Sequence, residues 1–215
     1  MRKERPMTAV LFDLDGTLTD SLPLILHTYE TVFREMGLDW QPQAVQDMIG
    51  LPLVQIARTF AGERDGEFLC TYQSLYFRDH DRLMRSYPWT DALLDALRGA
   101  GIRMGVVTAK GRRGTEKTLQ WTGLAPYFEV VVTADDSPTH KPDPGPVRAA
   151  LAAMDVAAAA AAYVGDSVYD VLAGKAAGTL TAAVTWGAAG RERLAACQPD
   201  AVFDDWRELT RFLGG

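Results

Sequence analysis

Between the apolar run at residues 8–14 and the next one at residues 102–108, the chain makes an excursion far longer than the single helix that joins two parallel strands. Something has to fold inside that interval. Across residues 22–87 apolar side chains recur at helical spacing, with Leu26, Tyr29, Val32 and Phe33 in one set and Phe68, Leu69, Tyr72, Leu75 and Tyr76 in another. The pattern predicts a small helical bundle, broken near Gly37-Leu38-Asp39 and at Ile49-Gly50-Leu51-Pro52. Its aromatic residues are expected to form bundle core.

Outside the excursion the rhythm is regular. Apolar runs at residues 128–133, 162–164 and 182–185 continue the series, and residues 201–203 add an edge strand. Helices are expected at 90–99, 113–121, 145–154 and 170–177. Short apolar strands alternating with helices predict an α/β fold, a mostly parallel sheet with helices on both faces. Residues 1–18 and 88–215 would form this core, and residues 19–87 the inserted helical domain. A chain of 215 residues has room for these two lobes and not for a third.

Composition excludes several classes. The 28 acidic residues outnumber the 22 basic ones, the net charge is -6, and no basic stripe interrupts the order, so nucleic acid is not an expected partner. Cys70 and Cys197 have no metal-ligand or disulfide-framework spacing. The basic start is followed only by a short apolar run containing Asp13, which is neither a signal peptide nor a membrane span. The expected setting is the cytoplasm, as a monomer or homodimer without membrane contact.

The densest chemical signal is Asp13-Leu14-Asp15-Gly16-Thr17-Leu18-Thr19-Asp20. If the first strand runs through Asp15, both carboxylates share one face and Leu14 takes the other. Two carboxylates at the end of a buried strand call for a compensating cation, and an oxygen-rich site favours Mg2+. Gly16 lets the backbone approach a phosphate. The other strand ends add Thr108, Lys141 in Lys141-Pro142-Asp143-Pro144, and Asp166 with Asp170 in Gly165-Asp166-Ser167-Val168-Tyr169-Asp170. In an open parallel sheet such ends converge on one crevice. The set suits phosphoryl transfer: Asp13 as nucleophile, Asp15 as acid and then base, and Thr108 and Lys141 on the transferring oxygens. Asp13, Asp15 and Asp166 are the candidate metal residues, Asp15 through its main-chain carbonyl, while Asp170 either completes the shell or fixes Lys141.

These motifs resemble the haloacid dehalogenase-like superfamily of phosphohydrolases over essentially the whole chain. Asp13-x-Asp15-Gly16-Thr17-Leu18-x-Asp20-Ser21 resembles its first motif, Thr108 its second, Lys141-Pro142 its third, and Gly165-Asp166-Ser167-x-x-Asp170 its fourth. The resemblance implies a Rossmann-like core, an α-helical cap that closes over the site, and phosphate contacts from Gly16, Thr108, Ala109 and Lys141. A sugar phosphomutase would carry histidine and arginine where this chain has Ile25 and Leu53, and a dehalogenase would lack Asp15 and the metal-binding aspartates. A non-enzymatic phospholigand-binding member would not need the intact Asp13, Asp15, Lys141 and Asp166.

Within the hydrolases the chain is similar to the phosphoglycolate phosphatases and the bacterial pyrophosphatases. The stretches that carry this are Phe77-Arg78-Asp79-His80-Asp81, Val107-Thr108-Ala109-Lys110, Val131-Val132-Thr133-Ala134-Asp135-Asp136 and His140-Lys141-Pro142-Asp143-Pro144. Gly145 departs from the glutamate usual in the pyrophosphatases. The resemblance implies a small phosphorylated substrate, with His80, Lys110 and Arg112 as candidates for steering it.

Overall fold

The computed structural model describes residues 7–214, so the basic start at residues 1–6 lies outside it. The chain begins with β1 (Ala9–Phe12), whose side chains alternate between two cores: Val10 and Phe12 join one apolar cluster, Ala9 and Leu11 the other. A strand buried on both faces belongs in the middle of a parallel sheet. The turn after β1 leads into β2 (Thr19–Asp20) and then into four helices, α1 (Leu22–Glu35), α2 (Pro42–Met48), α3 (Leu53–Ala61) and α4 (Asp65–Leu83). Strand β3 (Arg85–Ser86) returns antiparallel to β2, so the helical region hangs from the core on a two-stranded ribbon pairing Thr19 with Ser86 and Asp20 with Arg85.

The remaining elements are α5 (Thr90–Gly99), β4 (Arg103–Val107), α6 (Arg112–Trp121), β5 (Val130–Val132), α7 (Gly145–Ala153), β6 (Ala161–Gly165), α8 (Val168–Ala177), β7 (Leu180–Val184), α9 (Arg191–Ala196), β8 (Ala201–Phe203) and α10 (Trp206–Gly214). Six parallel strands lie in the order β5-β4-β1-β6-β7-β8. From β1 the chain builds outward through β4 and β5, then crosses back to build the other half from β6. The carboxyl end of β1 is therefore the point where the winding reverses, and a crevice opens there. The sheet is parallel and flanked by helices, as the sequence pattern predicts. One boundary differs: β1 stops at Phe12, so Asp13, Leu14 and Asp15 form the start of a turn in which Leu14 O accepts from the N–H groups of Leu18 and Thr19.

In the helical cap, Phe33 is the hub, with ring centroids of Trp40, Phe60 and Phe68 at 5.2, 5.1 and 5.9 Å. Those rings behave as the bundle core that the apolar period predicts. The other aromatic side chains depart from it: Tyr29 of α1 and Tyr72, Tyr76 and Phe77 of α4 also line a wall facing the sheet.

A second aromatic group surrounds the ribbon. The Tyr87 and Trp89 rings stack at 5.0 Å, and Trp89 meets Trp186 at 4.8 Å and Trp206 at 6.0 Å. Trp186 Nε1 donates to Thr17 O at 3.1 Å, and Thr90 Oγ1 to Leu18 O at 2.8 Å, so both sides of the cap's attachment are pinned to the core. Among the described residues no helix is long and apolar enough to cross a membrane.

Candidate active site

Three adjacent strand ends deliver the site. Asp13 follows β1, Thr108 follows β4 and Asp166 follows β6, while Lys141 arrives on the loop after β5. Asp13 N donates to Val164 O at 2.9 Å and Thr108 N to Val132 O at 2.9 Å, so the ladder hydrogen bonds run one residue past the strands and fix both side chains at the crevice. Asp13, Thr108, Lys141, Asp166 and Asp170 are all buried.

The carboxylates of Asp13, Asp166 and Asp170 offer oxygens within 4.8 Å of one another. One lysine compensates them. Lys141 Nζ sits 2.5 Å from Asp170 Oδ1 and 3.1 Å from Asp13 Oδ1. The second contact is an ion pair out of line for a hydrogen bond, and Asp13 Oδ1 is buried without a hydrogen-bonding partner among the described residues. Burial opposes the charge on Lys141, but Asp13 and Asp170 outweigh it and raise its pKa. Burial pushes the Asp13 carboxyl up; Lys141 pulls it back, and Asp170 and Asp15 push it further. Asp166 is raised by burial, Asp170 and Asp13, against the opposing hydrogen bonds from the Ala188 N–H and Thr17 Oγ1. Three crowded carboxylates with one ammonium and one orphaned oxygen form a donor set that fits a divalent cation.

Asp170 is held from every side. Its Oδ1 accepts from Lys141 and from the Tyr163 hydroxyl at 2.9 Å, and its Oδ2 from Ser167 N at 3.0 Å and Ser167 Oγ at 2.5 Å. The Ser167 and Asp170 pair is a reciprocal capping box at the start of α8, so a helix terminus and the site are locked by the same residues. Two glycines make room for Asp166: a Cβ on Gly16 or Gly187 would overlap its carboxylate, and Gly16 has φ +81°.

Asp15 has turned out of the crowd. Lys110 Nζ bridges both its oxygens at 2.8 and 3.0 Å and lies 4.8 Å from the centroid of the Tyr76 ring on the cap. Burial opposes the Lys110 charge, while Asp15 and Tyr76 outweigh it and raise its pKa. Above these groups, between core and cap, lies a cavity of about 410 Å³ whose wall includes Asp13, Asp15, Thr108, Ala109, Lys110 and Asp166.

Two of the three steering candidates are not on that wall. His80 is fully buried behind it, with Nδ1 2.7 Å from Asp81 and Nε2 3.3 Å from Thr118 Oγ1, where α4 meets α6. Burial pushes its pKa down, against Asp81. Arg112 points along the outer surface to Asp136 and Glu116. Sequence reasoning missed their neighbours Arg113 and His140, which do reach the cavity. Arg113 lies 4.2 Å from the centroid of Phe77, but one turn of α6 decides which of two adjacent arginines faces inward, and no local pattern signals it.

A parallel sheet with paired aspartates at its switch point, beneath an inserted helical lid, defines a Rossmann-like hydrolase core with a cap. Residues 10–184 match the sequence profile of haloacid dehalogenase-like hydrolases, and the chain belongs to that family. It is 37% identical over 212 residues to pyrophosphatase PpaX of Bacillus velezensis, covering 98% of each chain. It is 34% identical over 209 residues to PpaX of Anoxybacillus flavithermus, covering 97% of each. The fold superposes on a predicted phosphatase from Clostridium acetobutylicum with a TM-score of 0.87 at 23% identity, covering 97% of this chain and 99% of that one. It matches a predicted phosphoglycolate phosphatase from Haemophilus somnus with a TM-score of 0.85 at 24% identity, covering 96% and 97%.

Proposed function

We propose that this chain is a magnesium-dependent phosphohydrolase that turns over a small phosphorylated substrate through an aspartyl-phosphate at Asp13. The observation that carries this reading is the buried Asp13 carboxylate at the edge of the cavity, its Oδ1 ion-paired with Lys141 but accepting no hydrogen bond, beside Asp166. An Asp13 oxygen bonds to phosphorus as the bond to the leaving oxygen breaks, and Asp15 supplies the proton that the leaving group takes. Asp15 then accepts a proton from the water that attacks phosphorus, which releases phosphate and restores Asp13. Thr108, the Ala109 and Gly16 backbone and Lys141 hold the transferring oxygens, with Asp170 keeping Lys141 in place.

Asp13, Asp166 and the Asp15 carbonyl would hold the magnesium ion, with Asp170 beside them. When bound, the ion screens the repulsion between the anionic nucleophile and the anionic phosphoryl group. The pyrophosphatase relatives and the local sequence likeness support pyrophosphate or phosphoglycolate as candidate substrates. A sugar-phosphate phosphatase is the second reading. A mutase is disfavoured by Ile25 and Leu53, both of which lie on the cavity wall.

Phosphate release from a panel of pyrophosphate, phosphoglycolate, sugar phosphates and nucleotides tests the reading, together with mass analysis of quenched enzyme. Magnesium-dependent turnover and a phosphoryl adduct on Asp13 are expected. Asp13→Asn should lower turnover at least about a thousandfold. Parent-like rates in that variant, or full activity after verified metal removal, would overturn the mechanism.

A further inference from the structure

The two halves of the cavity wall differ in charge. The basic side chains on it, Lys110, Arg113 and the imidazole of His140, all come from the core. Among the described residues, none that the cap contributes carries a charge. What the cap presents is mostly aliphatic and aromatic, Ile25, Leu53 and Leu69 with the tyrosines Tyr29, Tyr72 and Tyr76, and its one side-chain amide there is Gln73. The tyrosines offer both ring and hydroxyl, since burial and the nearby Asp15 carboxylate raise the pKa of all three phenols. Tyr29 and Tyr72 pack at 4.6 Å, Tyr72 and Tyr76 stack at 6.0 Å with planes 14° apart, and the Tyr76 hydroxyl lies 3.4 Å from Thr118 Oγ1 on α6.

The core cations nearest this wall are already engaged. Lys110 bridges Asp15, and Arg113 lies against Phe77. A second phosphoryl group reaching toward the cap would meet mostly hydrocarbon and ring surface, with phenol hydroxyls and the Gln73 amide but no cap cation to receive it, and burying an unpaired charge in this way is costly. The cavity, at about 410 Å³, is also in the size range of sites for whole organic ligands.

We propose that the cap-facing half of the cavity receives an apolar leaving group, so that the preferred substrates are phosphate monoesters of aliphatic or aromatic alcohols rather than pyrophosphate. The proposal rests on the phosphohydrolase reading for the position of the phosphoryl group, at the Asp13 end. It assigns the opposite end to hydrocarbon.

Binding can be measured apart from turnover, which separates the two ideas. Calorimetry on the intact protein in magnesium would compare n-alkylphosphonates from methyl to hexyl with methylenediphosphonate, a pyrophosphate mimic. Kd should fall about fourfold for each added methylene until the cavity is filled. Hexylphosphonate should bind more tightly than methylenediphosphonate, and Leu69→Gln should weaken hexylphosphonate more than methylphosphonate. The kcat/KM values of the matching n-alkyl phosphates, whose leaving groups are of similar acidity, should rise in the same order and exceed that of pyrophosphate. A Kd independent of chain length, or tighter binding of methylenediphosphonate, would overturn the proposal while leaving aspartyl-phosphate chemistry intact. A rising affinity series without phosphate release from any substrate would instead uphold the apolar site and overturn the hydrolase reading.

Discussion

The floor and the roof of the cavity are built on opposite principles. The floor is a set of buried charges, each fixed by a strand end, a helix cap or a neighbouring ion: Lys141 between Asp13 and Asp170, and Asp166 between Thr17 and the Ala188 N–H. The roof is an uncharged surface, mostly Ile, Leu and Tyr with Gln73 among them, carried by helices that join the core through a two-stranded ribbon. Electrostatic preorganisation demands rigid supports, whereas apolar recognition tolerates movement and can be altered one side chain at a time. On the proposed reading, chemistry belongs to the sheet and selection to the cap.

The sharpest way to probe this contrast is to remove two lysines of the core in turn, Lys141 within the floor and Lys110, which faces the roof. Lys141→Met leaves Asp13 and Asp170 without their cation. We expect turnover to fall by roughly a hundredfold to a thousandfold, and stability to drop by about 3–5 kcal/mol because buried carboxylates lose their partner. Lys110→Met removes the Asp15 bridge and the contact with the Tyr76 ring and should change kcat/KM by no more than about tenfold. Steady-state kinetics and thermal melts on both variants check this, and equal losses would erase the distinction between floor and roof.

A second test uses pH and metal together. Asp13 and Asp166 have raised pKa values in the folded chain, so their contribution to stability is fully present below the ordinary carboxylate value of 3.8 and is lost as pH rises through neutrality. The metal-free protein should therefore melt at progressively lower temperature as pH climbs over that range. Magnesium should counter the loss, raising Tm more at about pH 8 than at about pH 5, with roughly 2.7 kcal/mol of stabilisation when the ion is at a hundred times its Kd. A Tm gain independent of pH would show that the ion does not bind these carboxylates.

The smallest effect is expected at His80. Its contacts lie between α4 and α6, outside the cavity, so His80→Phe should leave kcat/KM within about threefold while costing about 1 kcal/mol of stability. Kinetics with the best substrate and a urea melt suffice. A loss of activity larger than that would return His80 to the role of substrate contact that its sequence neighbourhood suggests.

The contrast between floor and roof also explains what was readable in the sequence. Strand ends follow from runs of apolar residues stopped by polar ones, so Asp13, Thr108, Lys141 and Asp166 could be gathered before any coordinates, and chain order sufficed to place the cap. The β1 boundary was misplaced by residues 13–15, since Leu14 is as apolar in a turn as in a strand. The roof was far less legible. Helical spacing marks one apolar face, but Tyr72 and Tyr76 lie on a helix packed on one side and lining a cavity on the other, and the period cannot separate those uses. The direction of Lys110, toward Asp15, and of Arg112, away from the site, depends on tertiary contacts with residues 95 and 24 positions distant.

The aromatic group around the ribbon gives the molecule an optical reporter of its own. Of its five tryptophans, Trp89, Trp186 and Trp206 are gathered in one cluster beside the cap's attachment. Trp186 is also tied by its indole N–H to Thr17, in the turn that carries Asp13 and Asp15. A tilt of the cap changes the surroundings of these rings without any added dye. Stopped-flow emission from the unlabelled protein would therefore test whether the cap moves when ligand binds, and Trp40 and Trp121, which lie outside the cluster, can be replaced to clear the background.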